Sequence, residues 1–130
     1  IGKLDLAEEN LKESEKLNNR NFSVFHNLGI IAGIKKNFES AKIYFLKAIE
    51  INENIDSLSE LGRIYSNENN FDEALKYFKK VLIKDPNHKK TNLRVGNMYF
   101  QKNEHKTGLK YIQKATGLIR FTNNGIELIQ

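Results

Sequence analysis

The chain contains no cysteine, so disulfides and thiolate zinc sites are excluded and the redox compartment is left open. It contains one proline in 130 residues, which suits an all-helical chain because proline breaks helix interiors. No apolar run approaches the ~20 residues that a membrane-spanning helix needs. There is no His-Glu-x-x-His, P-loop or Gly-x-Gly-x-x-Gly string, and His26, His88 and His105 lie far apart in the chain. Carboxylates at helical pitch occur around Glu8–Glu15 and at Asp72-Glu73. They fall on outer helix faces or in a first turn, where no cleft exists to shift a pKa toward general acid–base work. No catalytic residue, metal site or cofactor is expected within these residues.

What is present suits a soluble globular chain, with 28% charged and 39% hydrophobic residues. The net charge of +5 is uneven, because residues 89–130 hold eight Lys and Arg against two acids. A run of this kind is ordinarily a solvated Lys-rich face. The chain opens at Ile1 in helical pattern and reads as a piece of a longer protein, so a leader peptide would be out of view. The compartment is left open, with the cytoplasm as the default.

Internal repeats carry most of the information. Gly29, Gly62 and Gly96 are spaced 33 and 34 residues apart, and Ala41, Ala74 and Gly108 keep the same intervals. So do Phe45, Phe78 and Ile112, and then Ala48, Val81 and Ala115. Each unit reads as two amphipathic helices joined by a short polar turn. First helices are predicted over 22–35, 55–68 and 89–102, and second helices over 38–51, 71–84 and 105–118. The turns carry Lys36-Asn37, Asn69-Asn70 and Lys102-Asn103, and asparagine tolerates the left-handed conformation that ends many helices. Pro86 after Asp85 stops the second helix of the middle unit. Glycine inside a helix costs ~1 kcal/mol relative to alanine, so its recurrence marks close helix contacts.

The middle unit holds Leu58, Leu61-Gly62, Tyr65, Ala74, Phe78 and Pro86. This pattern resembles the tetratricopeptide repeat, with an apolar residue where tryptophan is commonest, and the resemblance runs across nearly the whole chain. It implies an all-α fold, a right-handed superhelix of antiparallel helical hairpins. Residues 1–21 are then the second helix of a preceding repeat, with Leu4, Ala7, Leu11 and Leu17 one period before Phe38, Ala41, Phe45 and Ile51. Repeats follow at 22–54, 55–88 and 89–122, and 123–130 is expected to begin a further first helix. The whole is expected to be a single domain.

The resemblance also implies a function, which is binding a protein or peptide in the concave groove lined by the first helices. Mapped onto this chain, that groove holds Ser23, His26, Asn27, Ile30 and Ile34 in the first repeat. The second repeat supplies Asp56, Ser59, Glu60, Arg63 and Asn67, and the third Lys90, Leu93, Arg94, Asn97 and Gln101. The strongest candidates are Asn27, Ile30, Ile34, Glu60, Arg63, Asn67, Lys90, Arg94 and Asn97. One subclass of the family grips the terminal carboxylate of chaperone tails. Lys90 and Arg94 match its last cationic pair, but its other places hold His26, Ile30 and Glu60, and Glu60 would repel a ligand carboxylate. A second subclass, the sugar-transferring enzymes with repeat arms, carries a ladder of groove asparagines. Asn27 alone fits it. Two other readings are a helical-repeat arm that recruits substrate for a larger enzyme and a basic nucleic-acid-binding solenoid. Against nucleic acid, Lys42, Lys47, Lys76, Lys79, Lys80, Lys110 and Lys114 lie on second helices, away from the groove. Self-association through cut ends is a further expectation.

Overall fold

The structure, a computed structural model, describes residues 2–18 and 20–129. Ile1, Asn19 and Gln130, which fall within the expected spans 1–21 and 123–130, lie outside the described residues. The helices are α1 (Lys3–Leu17), α2 (Phe22–Ile34), α3 (Phe38–Ile51), α4 (Ile55–Asn67), α5 (Phe71–Lys84), α6 (Lys89–Gln101) and α7 (His105–Thr116). Two short strands follow, β1 (Ile119–Thr122) and β2 (Gly125–Leu128). The chain divides between Ile64 and Tyr65, inside α4, into two compact units. That division falls within a helix and at none of the repeat boundaries expected from the sequence.

The turns that follow α2, α4 and α6 close in one way. The amides of Asn37, Asn70 and Glu104 donate to the carbonyls of Ala32, Tyr65 and Tyr99 at 2.9, 2.9 and 2.8 Å. This five-residue span is the Schellman closure, and it needs a left-handed residue just before the donor. Lys36, Asn69 and Asn103 supply it with φ of 60°, 58° and 62°. In the first turn, therefore, Lys36 and not Asn37 takes the left-handed conformation. Asn37 instead caps α3 by accepting from the Ser40 amide, and Asn70 caps α5 through Glu73. Glu104 occupies the same place before α7 without a side-chain cap bond.

In the first unit, α2 and α3 form a hairpin whose core is Phe25, Leu28, Ala41, Phe45 and Ala48. A methyl group on Gly29 would stand 2.7 Å from the Phe45 ring, so the glycine lets the ring lie against α2 within its own hairpin. The ring also tilts against His26 with centroids 5.5 Å apart. Helix α1 packs on α2 but buries no residue fully; Leu4 and Leu11 are half-buried, and Leu17 is exposed. Lys35 at the end of α2 binds Asp5 at 2.7 Å and Glu8 of α1 as well, and Lys47 of α3 lies 3.6 Å from Glu15.

In the second unit, Ala74 and Phe78 of α5 pack with Val95 and Met98 of α6, flanked by Tyr65, Leu82 and Tyr99. The α6–α7 contact is closer still, with Gly96 set against Gly108. Asn92, fully buried, donates to the carbonyls of Pro86 and His88 at 3.0 and 3.2 Å and so fixes the link into α6.

One sequence expectation fails here. Residues 123–130 do not begin a helix, because β1 and β2 pair antiparallel with Arg120 opposite Glu127 and Phe121 opposite Ile126. The physical cause is local. Gly117 ends α7 in the left-handed conformation at φ 67°, two residues before the expected end. Ile119 and Phe121, then Ile126 and Leu128, alternate with polar residues at strand period. Asn123 and Asn124 make a two-residue turn, and Gly125 takes φ 136°, a conformation open to glycine. The described chain therefore ends in a hairpin whose first strand packs on α7, where a further helix was expected.

Candidate partner-binding faces

In the first unit, asparagine caps set where the first helices begin. Asn21 accepts from the Ser23 amide before α2, and Asn54 accepts from the Ser57 amide at 2.8 Å before α4. These starts turn His26 toward α4, where its Nδ1 lies 2.9 Å from Ser57 Oγ. His26 thus joins two helices, and Ser57 is buried beneath it. Further along α2, Asn27 is exposed, Ile30 is half-buried and Ile34 is 61% exposed. These three candidates follow one another at turn spacing on a single helix.

Glu60 and Arg63 of α4 form an ion pair, with the Arg63 Nε and Nη2 atoms 2.8 and 2.7 Å from one Glu60 oxygen. Both side chains are largely shielded, and Arg63 Nη2 lies beside Gly33 of α2. The repulsive role expected of Glu60 is therefore offset by its own neighbour, one turn away. Ser59, just before Glu60 on α4, has a buried hydroxyl without a hydrogen-bond partner among the described residues.

In the second unit, Asn67 is exposed at the end of α4. On α6, Lys90 and Asn97 are exposed, while Arg94 is half-buried and already engaged in an interaction. Helix α6 starts where His88 caps it, its Nδ1 accepting from the Thr91 amide at 3.4 Å and lying 2.8 Å from Thr91 Oγ1. Burial of Thr91, Asn92, Val95 and Met98 then leaves Lys90, Arg94 and Asn97 along the other side of the helix.

Sequence reasoning missed the His26–Ser57 bridge and the Glu60–Arg63 pair. The second had a signal, since opposite charges three residues apart meet on a helix surface. It also missed a groove between α7 and the hairpin, about 590 Å³, lined by Leu109, Phe121 and Ile126 among others. Among the described residues no group of three or more His, Asp and Glu side chains could hold a metal ion. No helix among them is long and apolar enough to cross a membrane.

Known proteins share this fold. The Tetratricopeptide repeat family matches twice, at residues 22–55 and 55–88. Among solved structures, the crystal structure of MamA aligns with a TM-score of 0.82 and 24% identity, over 90% of this chain and 69% of that one. The likeness to MamA is one of fold. A tetratricopeptide repeat protein from Parabacteroides merdae ATCC 43184 aligns with a TM-score of 0.80 and 25% identity, over 87% of this chain and 46% of that one. The BBSome complex member BBS4 of Mus musculus is 26% identical over 101 residues, which are 78% of this chain and 19% of that protein. The chain thus spans about a fifth of the length of this relative.

Proposed function

The chain belongs to the tetratricopeptide-repeat family, and from that premise we propose that it is a non-enzymatic scaffold that binds a protein or peptide on its first-helix faces. Helical-repeat units of this kind bury their apolar sides against their neighbours and leave the remaining faces for partners. The observation that carries the reading is Ile34. It is a large aliphatic side chain, 61% exposed, in line with Asn27 and Ile30 on a first helix whose other side supplies the core. In the second unit, Lys90, Arg94 and Asn97 form the corresponding set, and Lys90 can receive a partner's carboxylate. The mouse relative is by its name a member of a multiprotein complex, and this supports a role of the same kind.

A photoreactive amino acid placed at position 34 or 97 tests the reading in cells of the native organism. The controls are positions 43 and 83, on second helices and also exposed. A common protein partner captured from 34 and 97 and absent from 43 and 83 is the expected result. Capture from the second-helix positions alone would refute the assignment, and capture of RNA or DNA in place of protein would favour a nucleic-acid solenoid.

A further inference from the structure

We propose that the groove between α7 and the β-hairpin is a second binding surface, one that takes an extended acidic peptide carrying bulky apolar side chains. The surface lies within the second unit, away from the first-helix candidates of α6, and does not depend on them. Its floor is Leu109 of α7 with Phe121 and Ile126 of the hairpin. Ile126 is 48% exposed there. Lys106 and Lys110 make one side of its rim cationic, with His105 beside them.

Charge selects the occupant. Lys106 and Lys110 stand one turn apart on α7, and neither makes an ion pair with any described residue. Like charges at this spacing repel, and a carboxylate between them relieves the repulsion. Residues 89–130 contain two acids, Glu104 and Glu127, and neither lines the groove. Glu127 stands opposite Arg120 across the hairpin. Among the described residues, none that lines the groove is acidic.

Shape and stability point the same way. About 590 Å³ admits one or two large side chains. Its floor is mainly aliphatic, with one ring, so it suits apolar side chains better than stacked bases. A two-stranded hairpin is marginal by itself, and an occupant resting on Ile126 would cover apolar surface that the fold leaves open.

The test is a nuclear magnetic resonance titration of the isotope-labelled chain. The probe is a synthetic capped octapeptide alternating Glu and Leu. A matched peptide alternating Glu and Ser carries the same charge, and oligothymidylate serves as the nucleic-acid arm. The Glu/Leu probe is expected to give saturable shifts at the amides of Lys106, Leu109, Lys110 and Ile126. Lys106→Glu with Lys110→Glu should weaken it at least about tenfold. Lys79→Glu with Lys114→Glu makes the same charge change beside another apolar dip, lined by Leu82 and Tyr111, and should leave affinity within a factor of about three. Ile126→Ser should also weaken binding, and the α7 pair keeps the test valid if that variant loosens the hairpin. Equal losses from both lysine pairs, equal binding of the Glu/Ser peptide, tighter binding of oligothymidylate, or no saturable shift up to about 1 mM would each overturn the proposal.

Discussion

Gly96 and Gly108 face each other across the α6–α7 hairpin with no room for a side chain. A methyl group on Gly108 would stand 2.8 Å from the Gly96 carbonyl oxygen, and one on Gly96 would stand 3.0 Å from the Gly108 carbonyl oxygen. At Gly108 the nearest obstacle is backbone, which no rotamer change relieves, whereas at Gly96 the Ile112 side chain comes first, its Cδ1 at 2.8 Å. The approach of α6 to α7 is thus set by main chain at Gly108, with Ile112 and Phe100 packed around it.

Gly108→Ala is accordingly expected to destabilise the chain by about 1–3 kcal/mol, although alanine is the better helix former. Gly33→Ala is the matched control, because a methyl there meets nothing nearer than Arg63 Nη2 at 4.0 Å. It should be neutral or stabilising by about 0.4–1 kcal/mol. Urea unfolding curves of the two variants measure both. A neutral Gly108→Ala would mean that the two helices can separate at little cost.

The hairpin depends on a different kind of glycine. Gly117 has open space where a side chain would go, but its φ of 67° disfavours one. Gly117→Ala should cost about 1 kcal/mol through conformation alone. Gly117→Asn should cost less, since asparagine visits the left-handed region more readily. Chemical shifts of residues 119–128 would show whether the loss reaches the strands. An equal penalty for alanine and asparagine would place the cause elsewhere.

Much of the fold was legible because the repeat spacing constrains the helices. The starts of α2 through α7 fall where the pattern places them, since each is fixed by a turn or cap that recurs at the same interval. What escaped were places where one residue departs from the repeat. Asn92 stands at the position of Leu58 and is buried like it, held by two carbonyls that the pattern does not reveal. After Gly117, the repeat interval favoured a helix while local turn chemistry favoured strands, and the turn prevailed. The first-helix candidates lie on α2, α4 and α6, and two of them, Glu60 and Arg63, pair with each other. Pairing depends on side-chain conformation, which spacing allows without fixing.

The Glu60–Arg63 pair offers a third measurement. Each side chain is 27% exposed, so the pair is shielded but not dry. Removing one member leaves the other charged and poorly solvated, whereas removing both avoids that penalty. Arg63→Ala and Glu60→Ala should together cost more than the double variant, by about 0.5–1 kcal/mol. A double-mutant cycle by thermal unfolding gives the coupling. Strict additivity would show that solvent already screens the pair, leaving both groups available to a partner.

The last prediction concerns pH and α1. Hydrogen bonding and attraction from Lys35 hold the Asp5 carboxyl below its ordinary range. Lys12, and then Lys35, do the same for Glu8. A carboxyl whose pKa is lower in the folded chain than in the unfolded one binds protons more readily once unfolded. Its contribution to stability is therefore complete above the ordinary carboxylate range and is lost as pH falls through the lowered folded value. Lys35 and Lys12 are shifted upward by the same contacts, so their contribution is complete below the ordinary lysine range and is lost only at strongly alkaline pH. Helix α1 has no fully buried residue, and the contacts of Lys35 with Asp5 and Glu8 tie it to the end of α2. Hydrogen exchange of α1 amides should lose protection on acidification below about pH 4, while α2 and α3 keep theirs. High salt should act in the same direction at neutral pH, since the groups are exposed and screened. Lys35→Ala should reproduce the acid behaviour at neutral pH. If α1 protection in that variant matches the parent chain, the half-buried Leu4 and Leu11 hold the helix without the charges.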